Sequence, residues 1–337
     1  MTTARPPRAV FALDPVHLPL LFPPALTARL RAAASFDPQA VVRDFADPAA
    51  VEALAGTEVL ITGWGCPRID ADALDAAPRL RAVLHTAGSV RALAGDAVWE
   101  RGIAVSSAAA ANALPVAEYT LAVILLTGKD AFAGRDRYRL GHALPRPAET
   151  AALGNAGRRV GVVGASRVGR RLLELLRPHD VEVLLHDPYV DTAEAAALSA
   201  TGMPLEELLL HSDLVTLHAP HVPATHHLLD RERLALIRDG GVLVNTGRGG
   251  LVDQAALTDE LVSGRLSAVL DVTDPEPLPA GSPLYTLPNV FLTPHLAGAL
   301  GNELERLGRA TVEELERLAA GRPLAHRVRP EDLSRIA

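Results

Sequence analysis

Short apolar runs bounded by turn residues recur along the chain, separated by alanine- and leucine-rich stretches whose apolar positions repeat at helical spacing. In the first hundred residues the runs fall at 9–13, 59–62, 82–85 and 103–106, with helical stretches such as 25–34 and 94–101 between them. A longer stretch, 115–129, is apolar on most faces and predicts a helix buried between domains or subunits. Residues 135–156 break the pattern with Pro145, Pro147, several glycines and many polar residues, and predict an extended arm or loop. A second alternating series then begins. Its strands are expected at 159–163, 182–186, 214–217, 241–245, 268–270 and 290–292, and its helices at 167–176, 205–210, 231–237, 254–263 and 302–321. Strands alternating with helices imply βαβ units. The pattern therefore predicts an α/β protein made of two consecutive parallel-sheet units.

Composition narrows the class without changing that picture. The 337 residues are 48% hydrophobic and 22% charged, which fits a globular chain and excludes a disordered, collagenous or disulfide-stapled one. Thirty-three basic residues against forty acidic ones give a net charge of −7, and no basic run is visible, so no nucleic-acid partner is expected. The single cysteine, Cys66, forms no internal disulfide, and the first residues lack the apolar stretch of a secretory signal. The longest apolar run, 119–127, is about half of a membrane-spanning helix. A cytoplasmic protein with no membrane association and no metal ion is the expectation.

The candidate chemistry sits at the ends of the second series of strands. The strand at 159–163 runs into Gly164-Ala165-Ser166-Arg167-Val168-Gly169, where a helix opens. Three glycines in a G-x-G-x-x-G turn allow a tight bend, close approach of the backbone to a pyrophosphate, and contact between helix and strand. Here Ser166 occupies the middle position. Serine is small and can itself hydrogen-bond a phosphate, so the site is altered rather than lost. Asp187 closes the next strand 18 positions beyond Gly169. A carboxylate there accepts hydrogen bonds from the adenosine ribose and repels a 2′-phosphate, which favours NAD over NADP.

Three later strands are each followed by polar residues. Asn245-Thr246-Gly247-Arg248-Gly249 sets an arginine between glycines, and its planar fork suits a carboxylate. Asp271-Val272-Thr273-Asp274-Pro275-Glu276 and Thr293-Pro294-His295 follow the next two strands. A carboxylate paired with a histidine fixes its tautomer and favours the protonated ring, which can donate a proton to a carbonyl oxygen.

Taken together, these segments and Val116-Ala117-Glu118-Tyr119-Thr120 resemble the D-isomer-specific 2-hydroxyacid dehydrogenases, in order and spacing, over nearly the whole chain. The resemblance implies two doubly wound parallel-sheet domains, Rossmann-like and flavodoxin-like, with an interdomain cleft. It implies a discontinuous substrate domain, 1–112 plus 300–337, and an NAD-binding domain at 113–299, with 115–150 as the helix and arm of a homodimer. Carried over by position, Arg248 binds the substrate carboxylate, Glu276 is the carboxylate partner, and His295 is the acid/base. Gly164, Ser166, Arg167, Val168, Gly169, Asp187, Ala219, Thr246, Gly247, Asp271, Ala297 and Gly298 are the implied cofactor contacts. Ala87, Gly88, Ser89, Val90 and Arg91 form the implied substrate loop, where Arg91 replaces the family's usual aspartate, either as a solvated surface arginine, the favoured reading, or as a cation for a second acidic group. The implied reaction is hydride transfer between the nicotinamide of NAD(H) and C2 of a small 2-oxo or 2-hydroxy acid. Phosphite oxidation, another specialised reaction of the family, and an NAD(H)-sensing binding protein are the alternatives. A chain ending at 337 leads us to expect no added C-terminal regulatory domain.

Overall fold

The computed structural model describes residues 5–334. The chain divides into two compact units: one runs to Ala113 and resumes at Ala299, and the other is Leu114–Gly298.

The first unit opens with β1 (Ala9–Ala12), β2 (Val41–Val42), β3 (Val59–Thr62), β4 (Ala82–His85) and β5 (Ala104–Ser107). Alternate residues of one strand enter opposite cores. Val10 and Ala12 pack with Leu54, Leu74 and Val98, whereas Ala9 and Phe11 pack with Leu26, Leu30 and Leu307. A strand buried on both faces favours apolar residues at successive positions, which is why these runs show no alternation. The helix Leu304–Ala319 rejoins this unit because its Leu307, Val312 and Leu315 complete the second of those cores. Its Gly308 admits the Leu21 carbonyl so closely that a Cβ would lie 1.7 Å from the oxygen. A bidentate pair, Arg29 with Glu316 at 2.8 Å, adds to the same contact.

The second unit holds β6 (Arg158–Val163), β7 (Val181–His186), β8 (Thr201–Gly202), β9 (Leu214–Leu217), β10 (Val242–Asn245), β11 (Ser267–Leu270) and β12 (Val290–Leu292). The strands pair in the order β12-β11-β10-β9-β6-β7-β8, all parallel. The last strand of the chain, β13 (Arg327–Val328), pairs antiparallel to β5 and completes a first-unit sheet in the order β13-β5-β4-β3-β1-β2. In the second sheet the order reverses between β6 and β9. An open α/β sheet binds its ligands at such a switch point, outside the carboxyl ends of the strands.

Two expectations need correction. Residues 135–156 are not one extended loop, since Ala131–Gly141 is a helix and Pro147–Thr150 another short one. The longer helix buries no residue, so it carries no apolar stripe from which the pattern could be read. The apolar helix starts at Ala109 rather than 115 and keeps Pro115 in its interior. By length and composition it could cross a membrane. Its Ala117, Val123 and Ile124 instead belong to the core under the second sheet.

Candidate active site

The glycine loop is shaped by backbone contacts that only glycine permits. Gly164 has φ +99°, and a Cβ there would lie 2.5 Å from the Ala219 amide nitrogen. A Cβ on Gly169 would lie 2.0 Å from the Gly164 carbonyl oxygen. Between them Ser166 is the N-cap of the helix Arg167–Leu176, its Oγ accepting from the Gly169 amide at 3.4 Å. The serine that departs from the glycine pattern thus serves its own helix. Arg167 and Val168 supply the first helical amides, the groups that a helix N-terminus offers to an anion.

Asp187 sits just past β7 and ties the loop down. Its Oδ2 accepts from Ala165 N at 2.7 Å and its Oδ1 from Tyr189 N at 2.8 Å. Beside it lies a cavity of about 370 Å³, lined by Leu185, Asp187, Val190, Asp191, Met203 and Pro204. A glycine cradle, free helical amides and a neighbouring pocket with a carboxylate are the features that the adenosine and pyrophosphate of a dinucleotide need. The residues present fit NAD.

Past β10, the Asn245 amide closes a turn by donating to the Arg248 carbonyl at 2.9 Å, while its Oδ1 accepts from Gly247 N at 3.1 Å. Thr246 is buried and shares a 2.9 Å hydrogen bond with Thr120. The Arg248 guanidinium donates to the Gly247 carbonyl at 2.7 Å and, among the described residues, lies within ion-pair distance of no carboxylate. Burial pulls its pKa below the ordinary arginine value, and the negative charge of Glu276 works against that shift.

His295 adopts the left-handed conformation, with φ +54°. Its Nδ1 lies 2.7 Å from Glu276 Oε1, and both side chains remain about half exposed. Bonding Nδ1–H to a carboxylate leaves Nε2 as the atom free to exchange a proton. The dyad borders a cavity of about 520 Å³ that is also lined by Leu278, Tyr285, Leu292 and Thr293. Asp271, only 1% exposed, is committed to the same turn: its carboxylate accepts from Thr293 Oγ1 at 2.6 Å, Leu296 N at 2.7 Å and Ala297 N at 2.9 Å. Gly298 ends the second unit.

Arg248, Glu276 and His295 therefore follow three neighbouring strands of one sheet, β10, β11 and β12. Residues 87–91 belong to the first unit, in the loop after β4. There Ala87 and Val90 are buried, Gly88 and Ser89 are half-buried, and the Arg91 Nε is buried without a hydrogen-bond partner among the described residues. Sequence reasoning assigns Tyr119, Thr120 and Thr293 no role, although Thr120 and Thr293 bond the site residues Thr246 and Asp271, and Tyr119 bonds Thr293. Their position in the segments 116–120 and 293–298 is the only signal that points to them.

Sheet order, glycine cradle and strand-end loops define an α/β protein whose second unit has the build of a dinucleotide-binding domain, with a carboxylate–histidine pair at its sheet edge. Residues 121–297 match the family described as D-isomer specific 2-hydroxyacid dehydrogenase, NAD binding domain, and the chain belongs to that family. It is 35% identical over 254 residues to D-3-phosphoglycerate dehydrogenase of Mycobacterium bovis, covering 75% of this chain and 48% of that one. It is also 35% identical over 254 residues to (S)-sulfolactate dehydrogenase of Chromohalobacter salexigens, covering 74% and 81%. The chain spans about half the length of the first of these relatives. Among solved structures, the TT0316 protein of Thermus thermophilus superposes with a TM-score of 0.77 at 32% identity, covering 95% of this chain and 99% of that one.

Proposed function

We propose that the protein is an NAD-dependent D-2-hydroxyacid dehydrogenase acting on a small 2-oxo or 2-hydroxy acid. The observation that carries this reading is the 2.7 Å contact between His295 Nδ1 and Glu276, on the sheet that also presents the Arg248 guanidinium. Bound NADH supplies the hydride that C2 of the oxo acid receives. Arg248 holds the substrate carboxylate through its two-pronged fork and draws electron density from the carbonyl. His295 releases the Nε2 proton to the carbonyl oxygen, and Glu276 keeps the ring oriented and its charge balanced. In the oxidative direction the same nitrogen takes the proton back. Gly164, Ser166, Arg167, Val168 and Gly169 receive the pyrophosphate, and Asp187 receives the ribose hydroxyls. Ala219, Thr246, Gly247, Asp271, Ala297 and Gly298 line the rest of the cofactor site.

In the same reading, 1–112 with 300–337 is the substrate domain, 113–299 the NAD domain, and 115–150 the helix and arm of a cytoplasmic homodimer. Residues 87–91 supply substrate contacts. Arg91 is offered to a second acidic group, which accords with the phospho and sulfo acids in the relatives' names. The deciding experiment is NADH oxidation, with NADPH in parallel, against glyoxylate, hydroxypyruvate, pyruvate, phenylpyruvate and a sulfonate- or phosphonate-bearing oxo acid. Turnover with NADH that drops about 10²–10⁴-fold in His295→Ala is expected. A near-wild-type rate in that variant removes the mechanism, and preference for NADPH removes the reading of Asp187.

A further inference from the structure

Tyr119 and Thr120 are successive residues on the helix Ala109–Gly128, and each side chain reaches a different site loop. Tyr119 Oη lies 2.8 Å from Thr293 Oγ1, and Thr293 Oγ1 lies 2.6 Å from Asp271 Oδ1. Thr120 Oγ1 lies 2.7 Å from the Val116 carbonyl oxygen and 2.9 Å from Thr246 Oγ1. The direction of every bond follows from hydrogen counting, because a hydroxyl has one proton to donate and an ionised carboxylate or a carbonyl has none. Thr293 must donate to Asp271, so Tyr119 must donate to Thr293. Thr120 donates to its own helix, so Thr246 must donate to Thr120.

Each run of hydrogen bonds ends at a segment that carries a reacting group. Asp271 holds the Leu296 and Ala297 amides, and its main-chain carbonyl accepts from His295 N at 2.9 Å. That clasp surrounds a histidine in the left-handed conformation, which a non-glycine residue holds only when its surroundings enforce it. Thr246 stands two residues before Arg248, in the turn closed by Asn245. All of these groups belong to one compact unit, and Thr120 and Asp271 are essentially inaccessible to solvent.

We propose that Tyr119 and Thr120 are positioning residues: one helical turn bolts the His295 loop through Thr293 and Asp271, and the Arg248 loop through Thr246. The proposal rests on the dehydrogenase reading for its kinetic consequence but not for its structural one. Tyr119 supplies the hydrogen that orients the Thr293 hydroxyl. Without it, that hydroxyl loses its donor, the Asp271 clasp loosens, and the imidazole samples unproductive orientations. Burial among apolar neighbours and the nearby Asp271 charge both raise the Tyr119 pKa, so the phenol keeps the proton it must donate.

The test uses the full chain with Tyr119→Phe, Thr293→Val, Thr293→Ser and the double variant Tyr119→Phe/Thr293→Val. Amide hydrogen exchange at Leu296 and Ala297 needs no turnover. Tyr119→Phe and Thr293→Val are expected to speed it about tenfold, while Thr293→Ser, which keeps the hydroxyl, stays near wild type. With an active oxo acid, Tyr119→Phe should lower kcat about 5–20-fold and displace the pH profile of kcat, with KM and NADH affinity held within about twofold. The double variant should be no worse than Thr293→Val alone, because both changes break one run of bonds. Unchanged exchange in Tyr119→Phe, or fully additive losses in the double variant, would overturn the proposal. Altered exchange in a chain that turns over no oxo acid would instead overturn the dehydrogenase reading and leave the bolting intact.

Discussion

At the carboxyl ends of the first unit's strands stand Thr62, His85 and Ser107, all buried, and the first two bond each other at 2.9 Å. At the carboxyl ends of the second unit's strands stand Gly164, Asp187, Arg248, Glu276 and His295, among them two half-exposed titratable side chains. Both sheets are built on parallel strands with cores on both faces. The architecture alone therefore does not distinguish a scaffold from a dinucleotide site. The distinction lies in the first turn after β6 and in the exposure of titratable side chains at the sheet edge. In the first unit Thr62 and His85 pair out of reach of solvent, whereas in the second the His295–Glu276 pair stays about half exposed beside a cavity.

Glycine placement gives the strongest way to break this comparison. In the second unit, Gly164→Ala sets a Cβ 2.5 Å from a backbone nitrogen at φ +99°, so neither partner can yield. In the first unit, a Cβ on Gly63 would meet the Thr86 hydroxyl at 2.6 Å, a side-chain contact. We expect Gly164→Ala to cost about 3–5 kcal/mol of stability, combining left-handed strain with overlap, and to abolish NADH binding. Gly63→Ala should cost about 1–2 kcal/mol and leave NADH binding alone. Urea unfolding and NADH fluorescence titration read both. Equal losses of stability and binding in the two variants would erase the distinction between the loops.

A second contrast is acid sensitivity, where the units should behave alike. Burial drives the His85 pKa down to about 4 and the His218 pKa down to about 3. Each imidazole shares a 2.9 Å hydrogen bond with a threonine hydroxyl, Thr62 or Thr216. Both are depressed below the unfolded value near 6.5, so between that pH and the folded value the unfolded chain binds more protons. The stabilisation is complete above about pH 6.5 and is lost as pH falls through 4, by about 3 kcal/mol for a 2.5-unit depression. Hydrogen exchange read peptide by peptide should show both units weakening together from pH 6.5 to 4.5. In His85→Leu only the second unit's loss should persist. Stability flat across that range would mean that neither histidine is buried as the structure has it.

How much of this is legible in the sequence follows from physics. Strands such as 59–62, 82–85 and 214–217 are readable to the residue because burial on both faces leaves mainly apolar side chains between turns. Two-residue edge strands at 41–42, 201–202 and 327–328 escape notice, since so short a run has no periodicity. The helix 131–141 is hidden because it buries no residue and its few apolar side chains form no stripe. At the site, residues with unusual chemistry announce themselves: Gly164, Asp187, Arg248, Glu276 and His295 stand at strand ends where a merely structural chain would place turn residues. Tyr119 and Thr120 do not, because their roles depend on partners more than 120 positions away, Thr293 and Thr246, which no local pattern encodes.

The smallest expected effect concerns the residue by which the glycine loop departs from pattern. Helices in both units are capped by aspartates: Asp47 and Asp70 in the first, Asp191, Asp230 and Asp253 in the second. The helix that opens on the dinucleotide cradle is capped by the uncharged Ser166 instead. Asp and Ser are comparable N-caps, and an aspartate also favours the positive end of the helix dipole, so the fold has no reason to prefer serine there. A pyrophosphate does, since a carboxylate a few ångströms from it repels it. Ser166→Ala should cost about 1 kcal/mol of stability with NADH affinity nearly retained. Ser166→Asp should leave the melting temperature almost unchanged while weakening NADH binding about 10–100-fold, the Coulomb cost of a like charge at the rim of a low-dielectric site. Both constants come from calorimetry and NADH titration on the same preparations. If Ser166→Asp bound NADH as tightly as the parent, the phosphates would lie elsewhere, and the contrast drawn between the two units would lose its chemical basis.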